Sequence, residues 1–305
     1  VQNTHSNIPK PQNEPVYSYA PKTAERTLLK EALQRLESQQ LDIPLIIGGK
    51  EIRTGNTAKC IQPHDHQKIL GHFHRAGEKE VHMAIEASQK AKPDWENLPY
   101  QQRASVFLKA AQLLSTKYRY TLNAATMLNQ SKNVFQAEID SACELIDFWR
   151  FNSYFMQELY KEQPLYSPAG MLNMVEHRPL EGFVFAATPF NFTSIAGNLP
   201  TAPAMMGNTV LWKPASTAAY ASYFLMQVLT EAGLPDGVIN FIPGSGSQVG
   251  DPVLASPLFS GLHFTGSTEV FQTMWKTIGT NIQKYRTYPR VVGETGGKDF
   301  MVVHV

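Results

Sequence analysis

Between residues 183 and 282 short apolar runs alternate with longer stretches of helical spacing, and this rhythm is the chain's strongest pattern. Phe183–Ala187, Thr209–Trp212, Val238–Ile242 and Gly261–Phe264 are rich in β-branched and aromatic residues, as doubly covered parallel strands are. Helical segments follow from Ser194, from about Ala218 to Ala232, from near Ser247, and from just beyond Ser267 to about Ile282. Four strand–helix alternations predict an α/β fold with a parallel, doubly wound, Rossmann-like sheet. Thr188-Pro189 closes the first strand, because proline has no N–H for a sheet ladder. Asn191 projects from the turn that follows, and Lys213-Pro214 ends the second strand. A polar amide and a lysine just past the carboxyl ends of successive strands lie where open α/β sheets place ligands.

Upstream the pattern changes. Residues 1–21 are polar and hold Pro9, Pro11, Pro15 and Pro21, which predicts an extended arm without a core of its own. Leu28, Leu29, Ala32, Leu33 and Leu36 place an amphipathic helix in Lys22–Gln40. Ile43–Ala76 alternates as strands do, with Gly48-Gly49 and Gly55-Asn56 as turns. Helices are expected over Glu78–Ala91, Gln101–Ser115 and about Val134–Tyr160, packing on the later sheet. Glu138, Asp140, Glu144 and Asp147 on the last of these read mostly as its solvated face. The chain divides as an arm (1–21), strands and helices (22–165), an extended hairpin (166–182), an α/β core (183–293) and a terminal stretch (294–305).

The formal net charge of +1 gives no electrostatic reason to invoke nucleic acid or an anionic membrane. Cys60 and Cys143 stand far apart, as in a reducing compartment: the cytoplasm, or the mitochondrial matrix of a eukaryote. Cys143 has apolar neighbours and reads as an inert core thiol. His64, His66, His72 and His74 cluster around Asp65, but without a Cys or Glu partner they read as a solvated turn and strand edge, and no metal is assigned. Turns such as Gly244-Ser245-Gly246 and Gly266-Ser267 put glycine or a small hydroxyl at a helix start, where backbone N–H groups face a phosphate. They do not form a G-x-G-x-x-G fingerprint.

Taken together, Pro189-Phe-Asn191-Phe, Leu211-Trp-Lys213-Pro-Ala, Phe264-Thr-Gly266-Ser267-Thr-Glu and Gly293-Glu294-Thr-Gly296-Gly297-Lys298 resemble the successive signatures of the aldehyde dehydrogenase superfamily, in order and spacing. Ala137-Glu-Ile-Asp140, Glu144-Leu-Ile-Asp147-Phe, Arg150-Phe-Asn152, Leu180-Glu-Gly-Phe183 and the run from Ala187 to Ile195 are similar to one branch of it. That branch oxidises L-glutamate γ-semialdehyde (1-pyrroline-5-carboxylate) to L-glutamate in proline degradation. The resemblance covers the chain beyond the arm and implies an NAD-dependent oxidoreductase that acts on a small aldehyde and assembles as a homo-oligomer.

The resemblance also implies roles. Asn191 matches the amide that holds the oxyanion, and Glu294 the general base. Lys213 matches the lysine on the adenosine ribose, while Ser216 stands where many relatives have a glutamate for the ribose hydroxyls. With no carboxylate there to repel a 2′-phosphate, both NAD and NADP stay open. Thr188, Pro189, Phe190, Gly246, Val249, Thr265, Gly266, Ser267, Val270, Thr295 and Gly296 match the remaining cofactor contacts; Phe271 stands where the family has a glycine. Phe192 and Glu144 match the substrate side, an aromatic for the aliphatic stem and a carboxylate for the amino group. The family's nucleophilic cysteine follows the base by roughly three dozen residues, about a third of which are present here. Neither Cys60 nor Cys143 matches its motif, so the 305-residue polypeptide is expected to be a fragment without turnover and poorly stable alone. Two alternatives stand beside this reading. One is a non-catalytic protein that binds a dinucleotide or a partner; the other is a related dehydrogenase for a different semialdehyde.

Overall fold

The computed structural model describes residues 7–298 and 300–304. After the arm come α1 (Ala24–Glu37) and five strands: β1 (Leu41–Ile43), β2 (Leu45–Ile47), β3 (Lys50–Ile52), β4 (Thr57–Gln62) and β5 (Asp65–His74). Helix α1 begins later than its leucine spacing implies because Lys22 has φ 73, outside the helical range. Pro44 separates β1 from β2, and the chain passes there from a small sheet, ordered β1-β5-β4, into the main one. Gly48 and Gly49 both have positive φ and close the β2–β3 hairpin, the conformation a two-residue turn of this kind requires.

Helix α2 (Glu78–Asn97) runs through Pro93, past the expected end at Ala91. Trp95, fully buried in its last turn, donates its indole N–H to Ala204 O at 2.8 Å, and this anchor outweighs the proline. Next is α3 (Tyr100–Leu113), which passes through a π-wound turn, Leu114–Tyr118, into α4 (Arg119–Gln130). The pattern of the sequence did not foreshadow α4. The π turn shifts the phase of the apolar stripe, and buried polar residues Asn123, Thr126 and Asn129 interrupt it. A second interrupted helix follows: α5 (Val134–Ala137), a π-wound segment Glu138–Glu144, and α6 (Leu145–Lys161).

The α/β part comprises β6 (Phe183–Ala187), α7 (Thr193–Met205), β7 (Thr209–Lys213), α8 (Ala219–Ala232), β8 (Ile239–Phe241), α9 (Gly246–Ala255), β9 (Phe259–Gly266), α10 (Thr268–Thr280) and β10 (Arg290–Thr295). Its seven-stranded sheet has the order β10-β9-β6-β7-β8-β2-β3, parallel from β10 to β8, with the β2–β3 hairpin antiparallel at one edge. All five residues of β6 are buried, and two apolar layers flank the sheet. The expected doubly wound α/β architecture is therefore present.

The arm is extended as expected, with Ile8, Glu14 and Tyr19 buried against the helices. Two other expectations need correction. The four acids of the 134–161 helix do not form a solvated face. Glu138 and Asp140 are buried, and Glu138 and Asp147 receive the arm's backbone N–H groups at Tyr17 and Glu14. Buried carboxylates need partners, and the arm's N–H donors to these two acids lie over a hundred residues away, beyond the reach of a local pattern. Residues 166–182, expected as a hairpin, run out and back without a strand. The Gln163 side chain bridges both backbone groups of Val175, at 3.0 and 3.1 Å.

Candidate active site

The register of the parallel strands sets Ala187 level with Lys213 on one side and with Phe264 on the other. On β10, Glu294 pairs with Thr265 of β9, one residue beyond Phe264. The carboxyl ends of β10, β9, β6 and β7 thus carry Glu294, Thr265, the Thr188–Phe192 turn and Lys213 side by side; the pattern of strands led to the turn and Lys213 only, and strand β10 was not expected. Thr188 fixes the turn: its N–H donates to Lys213 O at 3.1 Å, and its hydroxyl accepts from the Trp212 indole N–H at 3.1 Å. Pro189 is buried, whereas Phe190, Asn191 and Phe192 are exposed at the mouth of the site. The Thr265 hydroxyl donates to a Glu294 carboxylate oxygen at 3.3 Å, which orients an otherwise exposed acid.

Lys213 is partly buried, and no carboxylate lies within ion-pair distance among the described residues; its ammonium donates only to Pro214 O, at 3.2 Å. Burial pushes its pKa down to about 8. A desolvated cation without a counter-charge is a binding site for an oxygen-rich or anionic ligand. Ser216 donates to Gly244 O at 3.2 Å and joins the loops after β7 and β8. A Cβ on Gly244 would lie 2.7 Å from Val249, whose side chain is fully buried beneath that turn. At Gly246, the first residue of α9, added bulk would meet nothing. Ser245 and Ser267 cap α9 and α10 by accepting the Gln248 and Val270 N–H groups, and Val270 itself is exposed. Thr295 is exposed and Gly296 has φ 121. A lone lysine, an open glycine and two helix starts, all at the carboxyl-end edge of one sheet, fit the ribose and pyrophosphate of a dinucleotide.

Phe271 stacks on Phe264, with ring centroids 5.6 Å apart, and lies against Gly293, where a Cβ would come within 2.3 Å of the ring. The phenylalanine that departs from the family pattern thus fills the space above a residue with no side chain, just before Glu294.

On the other side of the Thr188–Phe192 turn stands the π-wound segment Glu138–Glu144. Glu144 accepts the Ser194 hydroxyl at 2.6 Å and lines a cavity of about 540 Å³ with Phe148, Phe151 and Phe155. Asp140 accepts the Thr193 and Ser194 N–H groups at the start of α7, at 3.1 and 3.0 Å. Asp140 and its ion-pair partner Lys132 were missed as site residues. An acid mid-helix is ordinarily a solvated face, and the groups that need this one lie more than fifty residues away.

Neither cysteine is poised to react. Burial pushes the Cys60 thiol up to about 12. Burial and then the Glu138 charge push Cys143 up to about 12 as well, so both stay protonated near neutral pH. His74 accepts the Gly55 N–H on Nδ1 and meets Asp42 through Nε2, which commits both ring nitrogens. Among the described residues no cluster of three acidic, His or Cys side chains could hold a metal. No helix among them is long and apolar enough to cross a membrane.

The fold and these strand-end motifs define a member of the aldehyde dehydrogenases, and the chain belongs to the aldehyde dehydrogenase family, which it matches over residues 51–305. It is 52% identical over 298 residues to delta-1-pyrroline-5-carboxylate dehydrogenase of Agaricus bisporus, covering 97% of this chain and 54% of that protein. It is likewise 52% identical over 301 residues to the mitochondrial enzyme of that name from Dictyostelium discoideum, covering 98% and 54%. The crystal structure of the Mycobacterium tuberculosis delta-pyrroline-5-carboxylate dehydrogenase bound with NAD superposes with a TM-score of 0.95 at 52% identity, covering 98% of this chain and 56% of that one. The chain spans about half the length of the relatives it matches.

Proposed function

We propose that this chain supplies the cofactor-binding half and part of the aldehyde site of an NAD-dependent dehydrogenase that oxidises L-glutamate γ-semialdehyde to L-glutamate. The observation that carries the reading is the row of adjacent strand ends holding Glu294, Thr265, Asn191 and Lys213, in a chain 52% identical to enzymes named for this substrate. NAD, bound over the ends of β7, β8 and β9, supplies the hydride acceptor. Lys213 and Ser216 hold the adenosine ribose. The α9 and α10 starts at Gly246 and Ser267 face the pyrophosphate, with Thr188, Pro189, Phe190, Thr265, Gly266, Val270, Thr295 and Gly296 forming the rest of the cofactor surface; Val249, expected as a contact, is fully buried and supports the Gly244 turn from beneath.

At the aldehyde, the Asn191 amide donates to the carbonyl oxygen and stabilises negative charge as it develops there. Glu294, held by Thr265, takes a proton from the water that releases the acid product. Phe192 packs on the aliphatic stem of the substrate, and Glu144 receives its amino group. The attacking thiolate is not one of the cysteines in this chain, so the 305 residues alone are expected to give no turnover. The domain division follows the sequence: 1–21 as an arm, 22–165 and 183–293 as one cofactor-binding unit, 166–182 as an assembly segment, and 294–305 as the start of the catalytic part. Exposed Leu165, Met171, Leu172 and Met174 support self-association through the 166–182 region. Two buried free thiols and the mitochondrial names of eukaryotic relatives support a reducing compartment, the mitochondrial matrix in a eukaryote.

The test is NADH and NADPH titration of the purified chain by fluorescence. NADH binding that Lys213→Ala weakens at least about tenfold is expected. Equal binding by the variant sinks the assignment. NADPH binding as tight as NADH makes Ser216 the residue that admits both.

A further inference from the structure

Asn191 and Phe192 are exposed, and Asn191 makes no side-chain hydrogen bond among the described residues, so their direction is set by what holds the turn from beneath. The segment immediately after them is held firmly. Helix α7 begins at Thr193, and Asp140, 2% exposed, accepts the Thr193 and Ser194 N–H groups at 3.1 and 3.0 Å and shares the Ser194 hydroxyl proton with Glu144, the carboxylate oxygens lying 2.8 and 2.6 Å from the hydroxyl oxygen. These are the unpaired donors that every helix start must satisfy, and here a carboxylate from another helix takes two of them. The Thr193 hydroxyl is bonded in turn to Thr126 and Gln130, each at 2.8 Å.

Lys132 completes the arrangement. Its ammonium lies 2.6 Å from Asp140 Oδ2 and 4.0 Å from the centroid of the Phe192 ring. One cation therefore pairs with the acid that fixes the start of α7 and also holds the face of the aromatic ring next to Asn191. With 14% of its side chain exposed, Lys132 is shielded enough for both contacts to be strong. Asp140 reaches α7 from the π-wound segment Glu138–Glu144, and single π turns of this kind recur where a helix must re-aim side chains at a functional site.

We infer that Lys132 and Asp140 are positioning residues, a charged clamp that sets the posture of the Asn191–Phe192 turn toward the aldehyde. The inference rests on the reading of that turn as the aldehyde site, but its test does not depend on turnover. The probe is the 305-residue chain with 4-fluorophenylalanine at position 192, read by fluorine NMR, together with amide exchange at Thr193 and Ser194. Lys132→Met is expected to move the fluorine resonance, and Lys132→Arg, which keeps the cation over the ring and the pair with Asp140, to restore it. Asp140→Asn is expected to speed exchange of the two amides about fivefold to tenfold, the size of a lost helix cap. NADH affinity is expected to stay within about twofold throughout, because the clamp lies on the aldehyde side.

A fluorine resonance unmoved by Lys132→Met overturns the clamp, as does a Lys132→Arg spectrum identical to that of Lys132→Met. If Asp140→Asn does not fold, the lysine pair still decides. If the unaltered chain binds no NADH, the dehydrogenase reading fails while the fluorine result still judges the clamp.

Discussion

Two sets of charged side chains serve this molecule in opposite ways. In the arm interface, Arg119 is fully buried and forms ion pairs with Glu14 and Glu138. It also lies 3.9 Å from the centroid of the Tyr17 ring. Tyr19 and Asn123 donate to the same Glu138 carboxylate at 2.6 and 2.8 Å. Burial alone would raise the Glu138 pKa, but Arg119 and Tyr19 outweigh it and hold the carboxyl below its ordinary value. At the strand ends, by contrast, Glu294 is exposed with a single hydroxyl partner among the described residues, and Lys213 is desolvated without a counter-charge among them. Structural charges here are satisfied within the chain. Those at the strand ends are left incomplete, and that incompleteness is what a ligand can use.

The comparison breaks most sharply at Arg119. Arg119→Met strands two buried carboxylates and should cost about 3–5 kcal/mol, read as a fall in the urea midpoint. An unchanged midpoint would place the network's net contribution near zero. Because the folded Glu138 pKa is depressed, its share of stability is present above the ordinary carboxylate range and lost as pH falls through the folded value. Acid unfolding of the unaltered chain should therefore start in that window, and Arg119→Met should flatten it.

The next largest effect is expected beneath Glu294. Gly293→Leu drives a side chain into the Phe271 ring and should cost about 1–3 kcal/mol, much of it recovered in the double variant with Phe271→Gly. Additive losses in the double variant would mean that the two positions do not share that space.

Lys213 gives a smaller, pH-dependent effect. Its folded pKa is lowered to about 8, so between about 8 and the ordinary lysine value the unfolded chain binds more protons. The penalty of burying the charged ammonium is complete below about 8, and stability should rise with pH above it. Lys213→Met should remove that rise and be more stable than the unaltered chain at pH 7. A parallel pH profile in the two proteins would mean that the lysine is well solvated.

Asn191→Ala and Glu294→Gln should change stability least, by no more than about 0.5 kcal/mol each, since both side chains are exposed. A larger loss, measured by thermal unfolding, would move them from the second set of charged and polar groups into the first.

The two sets also differ in how far they could be read from the sequence. Strands β6 to β9 and the helices between them follow from apolar runs and glycine turns, because each is built from neighbours in the chain. Of the strand-end residues, Asn191 and Lys213 could be placed from the strands that carry them, whereas Glu294 and Thr265 came only from the resemblance to the aldehyde dehydrogenase signatures. Helix α4 was hidden because its buried face includes Asn123, Thr126 and Asn129, which look like surface until their partners are known. Asp140 and Glu138 were misread in the same way. A buried carboxylate is distinguished from a solvated one only by donors brought from distant segments, and those appear only in the fold.

The helix spanning residues 134–161 touches both sets. Glu138 and Asp147 hold the arm, while Asp140 and Glu144 hold the first turn of α7. It is therefore a rod with a tether on one flank and a tool on the other, and its rotation is shared between them. Trimming the arm to tidy an expression product would remove the tether and turn the tool. It would also unroof the cavity beside Glu144, one wall of which is Asn13, Glu14 and Val16 of the same arm.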